Sequence, residues 1–284
     1  MKDWPEVLKI SRRQATRRFS LIFLSCTILL IGSFLTSCSS SLGVQHVSSS
    51  QPTRTFTVGA QAKLVVKSDQ ASIHIHAGDA GKMTVNARMS ATGLDIGPNL
   101  DPKSLKVNTA QSGDTVTVDI QTDHTVIAGS KRFNIDITIP RTSTVETHSG
   151  AGDLDIKGVS GQLTLQASSG DIQASDVDGQ ITVQTNSGNI NLDQAKLKGQ
   201  SALKASSGTI RFTGTLDPQG SYQVQTSSGN VIMNLPASAA FSLQTSTHSG
   251  DVHNAFNSKE VGGEPRAKLA IQTSSGDITL KKEG

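Results

Sequence analysis

Between Leu163 and Leu192 the chain reads LTLQASSGDIQASDVDGQITVQTNSGNINL: apolar residues fall on alternate positions and nearly the same unit is written twice. Alternation with period two puts one set of side chains on each face of an extended backbone, so each run predicts a β-strand with one buried face. Ser-Gly punctuates the runs at Ser149-Gly150, Ser169-Gly170, Ser187-Gly188, Ser207-Gly208, Ser228-Gly229, Ser249-Gly250 and Ser275-Gly276, with glycine-to-glycine steps of 20, 18, 20, 21, 21 and 26 residues. Such self-similarity marks an array of one supersecondary unit. From the second turn on, a strand precedes the Ser-Gly (LTLQA, ITVQT, ALKA, YQVQT, FSLQT, LAIQT) and another follows it (DIQA, NINL, TIRF, NVIMN, DVHN, DITL). A second bend lies midway in several copies, as at Val159-Ser160-Gly161, Val177-Asp178-Gly179 and Leu197-Lys198-Gly199.

Two all-β architectures accommodate a strand-turn-strand unit: a sandwich of antiparallel hairpins, or a parallel solenoid in which each unit is one coil and equivalent residues stack. The columns favour the solenoid. One position holds Gln166, Gln184, Lys204, Gln225, Gln244 and Gln272, another Ile172, Ile190, Ile210, Val231, Val252 and Ile278. Parallel in-register stacking rewards such repetition, since amides can form hydrogen-bonded ladders and branched aliphatics nest on their copies. The expected fold is therefore an all-β, repetitive parallel β-solenoid of about 20-residue coils. Leu163, Leu165, Ala167, Ile172 and Ala174 are expected inward with Phe212, Met233, Phe241 and Tyr222, while Thr164, Gln166 and Gln173 face out.

Residues 55–145 are less regular, with strands expected at TFTV, KLVVKSDQASIHIHAG, KMTVNARMS, DTVTVDIQT and FNIDITIP and a loop around Pro98. They read as a diverged start of the same stack, and 146–284 as its regular part. Lys281 and Lys282 are expected on the last edge, where charge discourages further strand addition.

The N-terminus has a different pattern. A basic segment ending at Arg18 precedes the apolar run Phe19 to Leu35, 17 residues long, and then small residues, which is the plan of a secretory signal. The segment Leu35-Thr36-Ser37-Cys38 resembles a bacterial lipobox, which implies cleavage before Cys38 and lipidation of its thiol; an uncleaved N-terminal anchor is the alternative. Residues 1–37 read as a lipoprotein signal peptide, 38–54 as a Ser-rich tether, and 55–284 as the solenoid domain outside the cytoplasm, lipid-anchored to the bacterial cell membrane. The leader also explains the net charge of +3: without residues 1–37 the chain keeps 20 basic and 21 acidic residues, a net of −1. That balance excludes a nucleic-acid binder. The only cysteines are Cys26 and Cys38, so no disulfide is expected in the body.

Most of the polar residues that could carry chemistry sit at structural positions. Asp153, Asp171, Asp251 and Asp277 follow their turn glycines, but Asn189, Asn230 and Thr209 take the same slot in other coils, which makes it a turn slot. Asp176 and Asp178 form the best local acidic pair but have no basic partner in their own coil. His74 with His76, and His248 with His253, could chelate, yet no third ligand is evident. No catalytic residues, metal site or cofactor are expected, and the protein is read as not an enzyme. What remains is surface: outward Thr, Ser and Gln columns that either bind a repetitive polymer or only hold the coils together. The lack of exposed aromatics counts against a sugar platform. An insertion interrupts the last repeat, and its Asn254, Phe256, Asn257 and Glu264 are the candidate partner-binding residues.

Three features together resemble the bacterial "putative adhesin" domain-of-unknown-function family of extracytoplasmic β-strand-repeat proteins: VKSDQASIHIHAGDAGKMTVNARM, FNIDITIPRTSTVETHSGAGDLDI, and the recurring SSGD or NSGN turns. The likeness covers residues 55–284. It implies a repetitive β-solenoid at the cell envelope, sometimes encoded with envelope-stress systems, and brings no catalytic residues. The expected function is a non-catalytic, membrane-anchored binding or structural protein of the envelope, with an envelope glycan or a membrane protein as partner. The alternatives are an accessory of envelope-stress sensing that acts through a protein partner, and a glycan-active β-helix enzyme.

Overall fold

Alternate side chains along nearly every strand are withdrawn from solvent in the structure, a computed structural model that describes residues 44–94, 101–125 and 129–283. The diverged region supplies β1 (Val44–Ser50), β2 (Arg54–Thr57), β3 (Lys63–Ser68), β4 (Ser72–Gly78), β5 (Lys82–Leu94), β6 (Leu105–Ser112), β7 (Thr115–Thr122) and β8 (Gly129–Pro140). Two-strand coils follow: β9 (Thr144–Ala151) with β10 (Leu154–Lys157), β11 (Ser160–Ser169) with β12 (Ile172–Ser175), and β13 (Asp178–Ser187) with β14 (Ile190–Leu197). Next come β15 (Gln200–Ser207) with β16 (Ile210–Leu216) and β17 (Ser221–Ser228) with β18 (Val231–Pro236). The chain ends with β19 (Phe241–Ser249), β20 (Val252–Asn254), the short β21 (Glu260–Val261), β22 (Ala267–Ser275) and β23 (Ile278–Glu283).

Pairing between coils is parallel and in register, which decides for the solenoid: Leu163 lies beside Ile181, Leu165 beside Val183, and Ile190 between Ile172 and Ile210. The inward positions form one continuous aliphatic core. Leu163, Leu165, Ile172 and Ala174 are fully buried, as are Phe212, Met233 and Phe241, and one coil alone could not shelter them. Tyr222 also points inward. Its hydroxyl lies 2.9 Å from the carbonyl oxygens of Leu197 and Asp217, and burial pushes its pKa up to about 12.

The layers do not follow sequence order. Coil β3–β4 sits between β7–β8 and β9–β10, and the C-terminal coil β22–β23 sits between β17–β18 and β19–β20. At the C-terminal end the outermost coil is therefore β19–β20, whereas at the other end β7 and β8 are covered in turn by β6 and β5, which pair with them antiparallel. At the C-terminal end the reason lies in composition. β19 places Thr245 beside Ile271, and β20 leaves Val252 43% exposed, so this coil suits an outer layer, where a solenoid needs a polar cap. Lys281 and Lys282 are therefore not on the outermost coil: their strand has β18 on one side and β20 on the other, with Lys281 beside Asn234.

Register corrects two further expectations. Gly170 stacks on Gly152, not on Gly150, so the first turn of the regular array is Ala151-Gly152. Ser246, not Gln244, faces Gln272, because β19 carries two more residues between its Gln and its Ser-Gly than β22 does. The tether reading also fails for its second half. Residues 44–50 form β1, antiparallel to β5. No apolar alternation announced this strand because it is mostly exposed and is held by backbone hydrogen bonds. Cys38, the leader and the expected loop at Pro98 lie outside the described residues.

Two devices fix the turns. Gly188 has φ +145°, and a Cβ there would come within 2.0 Å of the Gly170 carbonyl oxygen, so the coils approach too closely for any side chain. Beside the glycines, Asp153 Oδ1 accepts the Asp171 N–H (3.0 Å), Asp171 Oδ1 the Asn189 N–H (2.8 Å), and Asn189 Oδ1 the Thr209 N–H (3.0 Å). The same ladder joins Asn230 to Asp277 and Asp277 to Asp251. Asp and Asn are interchangeable here because each supplies the one acceptor that the next coil requires.

Candidate functional site: the outer polar ladder

The outward positions of the first strand in each coil line up into a polar column. In spatial order it holds Asp119, Lys67, His148, Gln166, Gln184, Lys204, Gln225, Gln272 and Ser246, all in direct register. The alternation that buries Leu165 and Val183 pushes Gln166 and Gln184 out. Among the described residues, the Gln166, Gln184, Gln225 and Gln272 amides have no hydrogen-bond partner within the chain, so the expected amide ladder does not form. The Asp and Asn side chains at the turns carry the coil-to-coil bonds instead. The column's amide donors and acceptors are left facing solvent.

Where the column meets the diverged coils it borders a groove of about 510 Å³ lined by Lys67, Asp69, Asp119, His148, Gln166 and Gln184 with neighbouring small residues. Beside it Glu146 is held from both sides, by His148 Nε2 at 3.2 Å and Lys63 Nζ at 3.1 Å. The hydrogen bond from His148, then that from Lys63, holds its carboxyl below the usual carboxylate range. Asp119, Lys67 and His148 were not legible as column members, since their coils lack the Ser-Gly-Asp turn that sets the register elsewhere. The one usable signal was Ser68-Asp69 before SIHIH, a shortened version of that turn.

The opposite outer face is different. There Asp136, His74, Asp155, Gln173, Asn191, Arg211 and Ile232 share a register position, and part of the row is engaged: Arg88 bonds Asp136 at 3.2 Å, and His74 lies 3.8 Å from Asp155. His76 stands between Thr138 and Lys157. Among the described residues no three His, Cys, Asp or Glu side chains are grouped to hold a metal ion. Asp176 and Asp178 find their bases in other coils: Arg141 grips both oxygens of Asp176 at 3.1 and 3.3 Å, and Lys198 meets Asp178 at 2.6 Å.

The structure places the insertion at the C-terminal cap. Phe256 is half-buried, its ring edge-on to Phe241 with centroids 5.1 Å apart. Asn254 accepts the Phe256 N–H and donates to the Ser258 carbonyl, Asn257 turns the chain with φ +53°, and Glu264 pairs with Arg266 at 2.6 Å. Asn254, Phe256 and Asn257 share one turn packed on β19, Glu264 lies in the following loop beside Arg266, and none of the four lines the ladder's groove.

Among solved structures, the chain is similar to a "putative cell adhesion protein" from Clostridium sporogenes, at 12% identity over 82% of this chain and 99% of that one, with a TM-score of 0.37. A "putative adhesin" from Bacteroides fragilis matches at 15% identity over 83% and 97%, with a TM-score of 0.48. A "putative lipid binding protein" from Parabacteroides distasonis matches at 13% over 82% and 96%, with a TM-score of 0.30. No curated protein matches the chain. The Toastrack DUF4097 family model matches residues 61–216 and again 196–281, and the chain belongs to that family.

Proposed function

We propose that the protein is a non-catalytic, extracytoplasmic binding module of the cell envelope, lipid-anchored through Cys38, whose contact surface is the Gln ladder. The observation that carries this reading is the in-register column of amides without hydrogen-bond partners among the described residues. A purely structural ladder would spend those groups on its neighbours, as the Asp and Asn turns do. The carboxylates that could serve an enzyme are engaged by Arg141 and Lys198 or spent on the turns, which supports a non-catalytic role.

Residues 44–283 contain the whole described core and no cysteine, so they serve as a soluble test protein. They are expected to cosediment saturably with purified cell envelopes. Combining Gln166→Glu, Gln184→Glu and Gln225→Glu should weaken binding at least about tenfold, since each lost hydrogen bond is worth about 0.5–1.5 kcal/mol. Gln173→Glu with Asn191→Glu on the opposite face should change little. Absence of envelope binding, or equal loss from both faces, would contradict the proposal.

A further inference from the structure

We infer that the ladder takes a linear, uncharged polysaccharide laid along the solenoid axis, with one sugar ring over each coil. This inference rests on the binding role proposed above and narrows it to one class of ligand.

Neighbouring parallel strands lie about 4.8 Å apart, so His148, Gln166, Gln184, Lys204, Gln225 and Gln272 repeat one hydrogen-bonding position at that spacing. An extended peptide advances about 3.3 Å per residue and falls out of step within two or three coils. A pyranose ring linked through opposite sides advances by nearly one coil, so a linear glycan keeps one ring over each amide, and because alternate rings of a β-1,4-linked chain are turned over, equivalent groups recur at every second coil.

Chemistry points the same way. A primary amide offers both donors and an acceptor, the set that a hydroxyl or an acetamido group can answer. The body's net charge of −1 beyond the leader gives no general attraction for a polyanion, and the amide stretch is broken only by Lys204. The opposite outer face lacks these properties, because its row runs through ion pairs and then Ile232.

The ladder has no aromatic residue, and the nearby Tyr222 is turned into the core. Without a ring to stack on, each sugar is held weakly, so binding must come from repetition: once one ring is seated, the next binds at the effective concentration set by its linkage. That turns the lack of a sugar platform into an expectation: short oligomers fail and long ones bind.

The test titrates residues 44–283 with β-1,4-linked glucose and N-acetylglucosamine oligomers of one to eight rings, followed by amide chemical shifts. For at least one series, one and two rings should give no saturation, and affinity should rise at least about tenfold from three to six rings. The shifted amides should run along the column from His148 to Gln272. Gln184→Ala, at mid-column and on the surface, should weaken the longest oligomer several-fold with the fold unchanged. Affinity that does not grow with length, shifts confined to one coil or to the opposite face, or no binding in either series would overturn the inference. If envelope cosedimentation persists in those cases, the binding role stands with a different ligand; if it is also absent, both fall.

Discussion

Replacing Ile190 with Asp is expected to abolish the native thermal transition or to lower its midpoint by at least about 10 °C. Ile190 is fully buried in the middle of the stack, flanked by Ile172 and Ile210 at the same inward position. The change removes an aliphatic side chain, which alone costs about 2–5 kcal/mol, and leaves a carboxylate where no cation can reach it. In a solenoid the damage is shared, because each coil is held only by its neighbours and a central coil serves two. Gln184→Asp, on the same coil but facing solvent, is the matched control and should move stability by no more than about 0.5 kcal/mol. Thermal unfolding by circular dichroism compares the two; similar losses would show that the inward and outward assignments are wrong.

Deleting the C-terminal coil, residues 267–283, should do more than shorten the stack. β19 and β20 make their parallel pairings only with β22 and β23. The deletion therefore strands residues 241–266, although they remain in the chain, and takes Leu269, Ile271, Ile278 and Leu280 out of the core. Hydrogen exchange should find the amides of 241–254 as unprotected as a frayed terminus, while the coils from β9 to β16 keep their protection. Retained protection over 241–254 would mean that β19–β20 rests directly on β17–β18, as it would if layers followed sequence order.

Much of this fold is readable from the chain because its signals are local. Alternation identifies strands, and the Ile column from Ile172 to Ile278 reports parallel stacking, since only in-register copies would favour the same branched side chain so often. What the repeat cannot encode is the order of its copies. A period says that β17, β19 and β22 occupy equivalent places, not which of them are neighbours. That is decided by which coil can tolerate an outer position, and the signal was present in Thr245, Thr247 and the short β20. Register errors arose where a coil breaks the spacing, as between Gln244 and Ser249. β1 was invisible because an exposed strand held by its backbone needs no apolar pattern. The ladder face is the polar column that alternation predicts, but its side-chain hydrogen bonds belong to other groups: Gln looks like the ladder former, while the shorter Asp and Asn beside the glycines reach the next coil's N–H. The charged end of the column, Asp119, Lys67 and His148, required the diverged coils to be placed in space.

The most direct measurement of the account is disulfide formation in two double variants of residues 44–283, which have no native cysteine. In Gln225→Cys with Gln272→Cys the partners lie on adjacent strands, about 4.8 Å apart and within the range a disulfide spans. In Gln225→Cys with Ser246→Cys they are two layers apart, at about 10 Å, beyond that range. The account predicts rapid, quantitative oxidation of the first pair within the monomer and none of the second. Oxidation of the second pair in place of the first would contradict the layered order on which the ladder, its continuity and its proposed ligand depend.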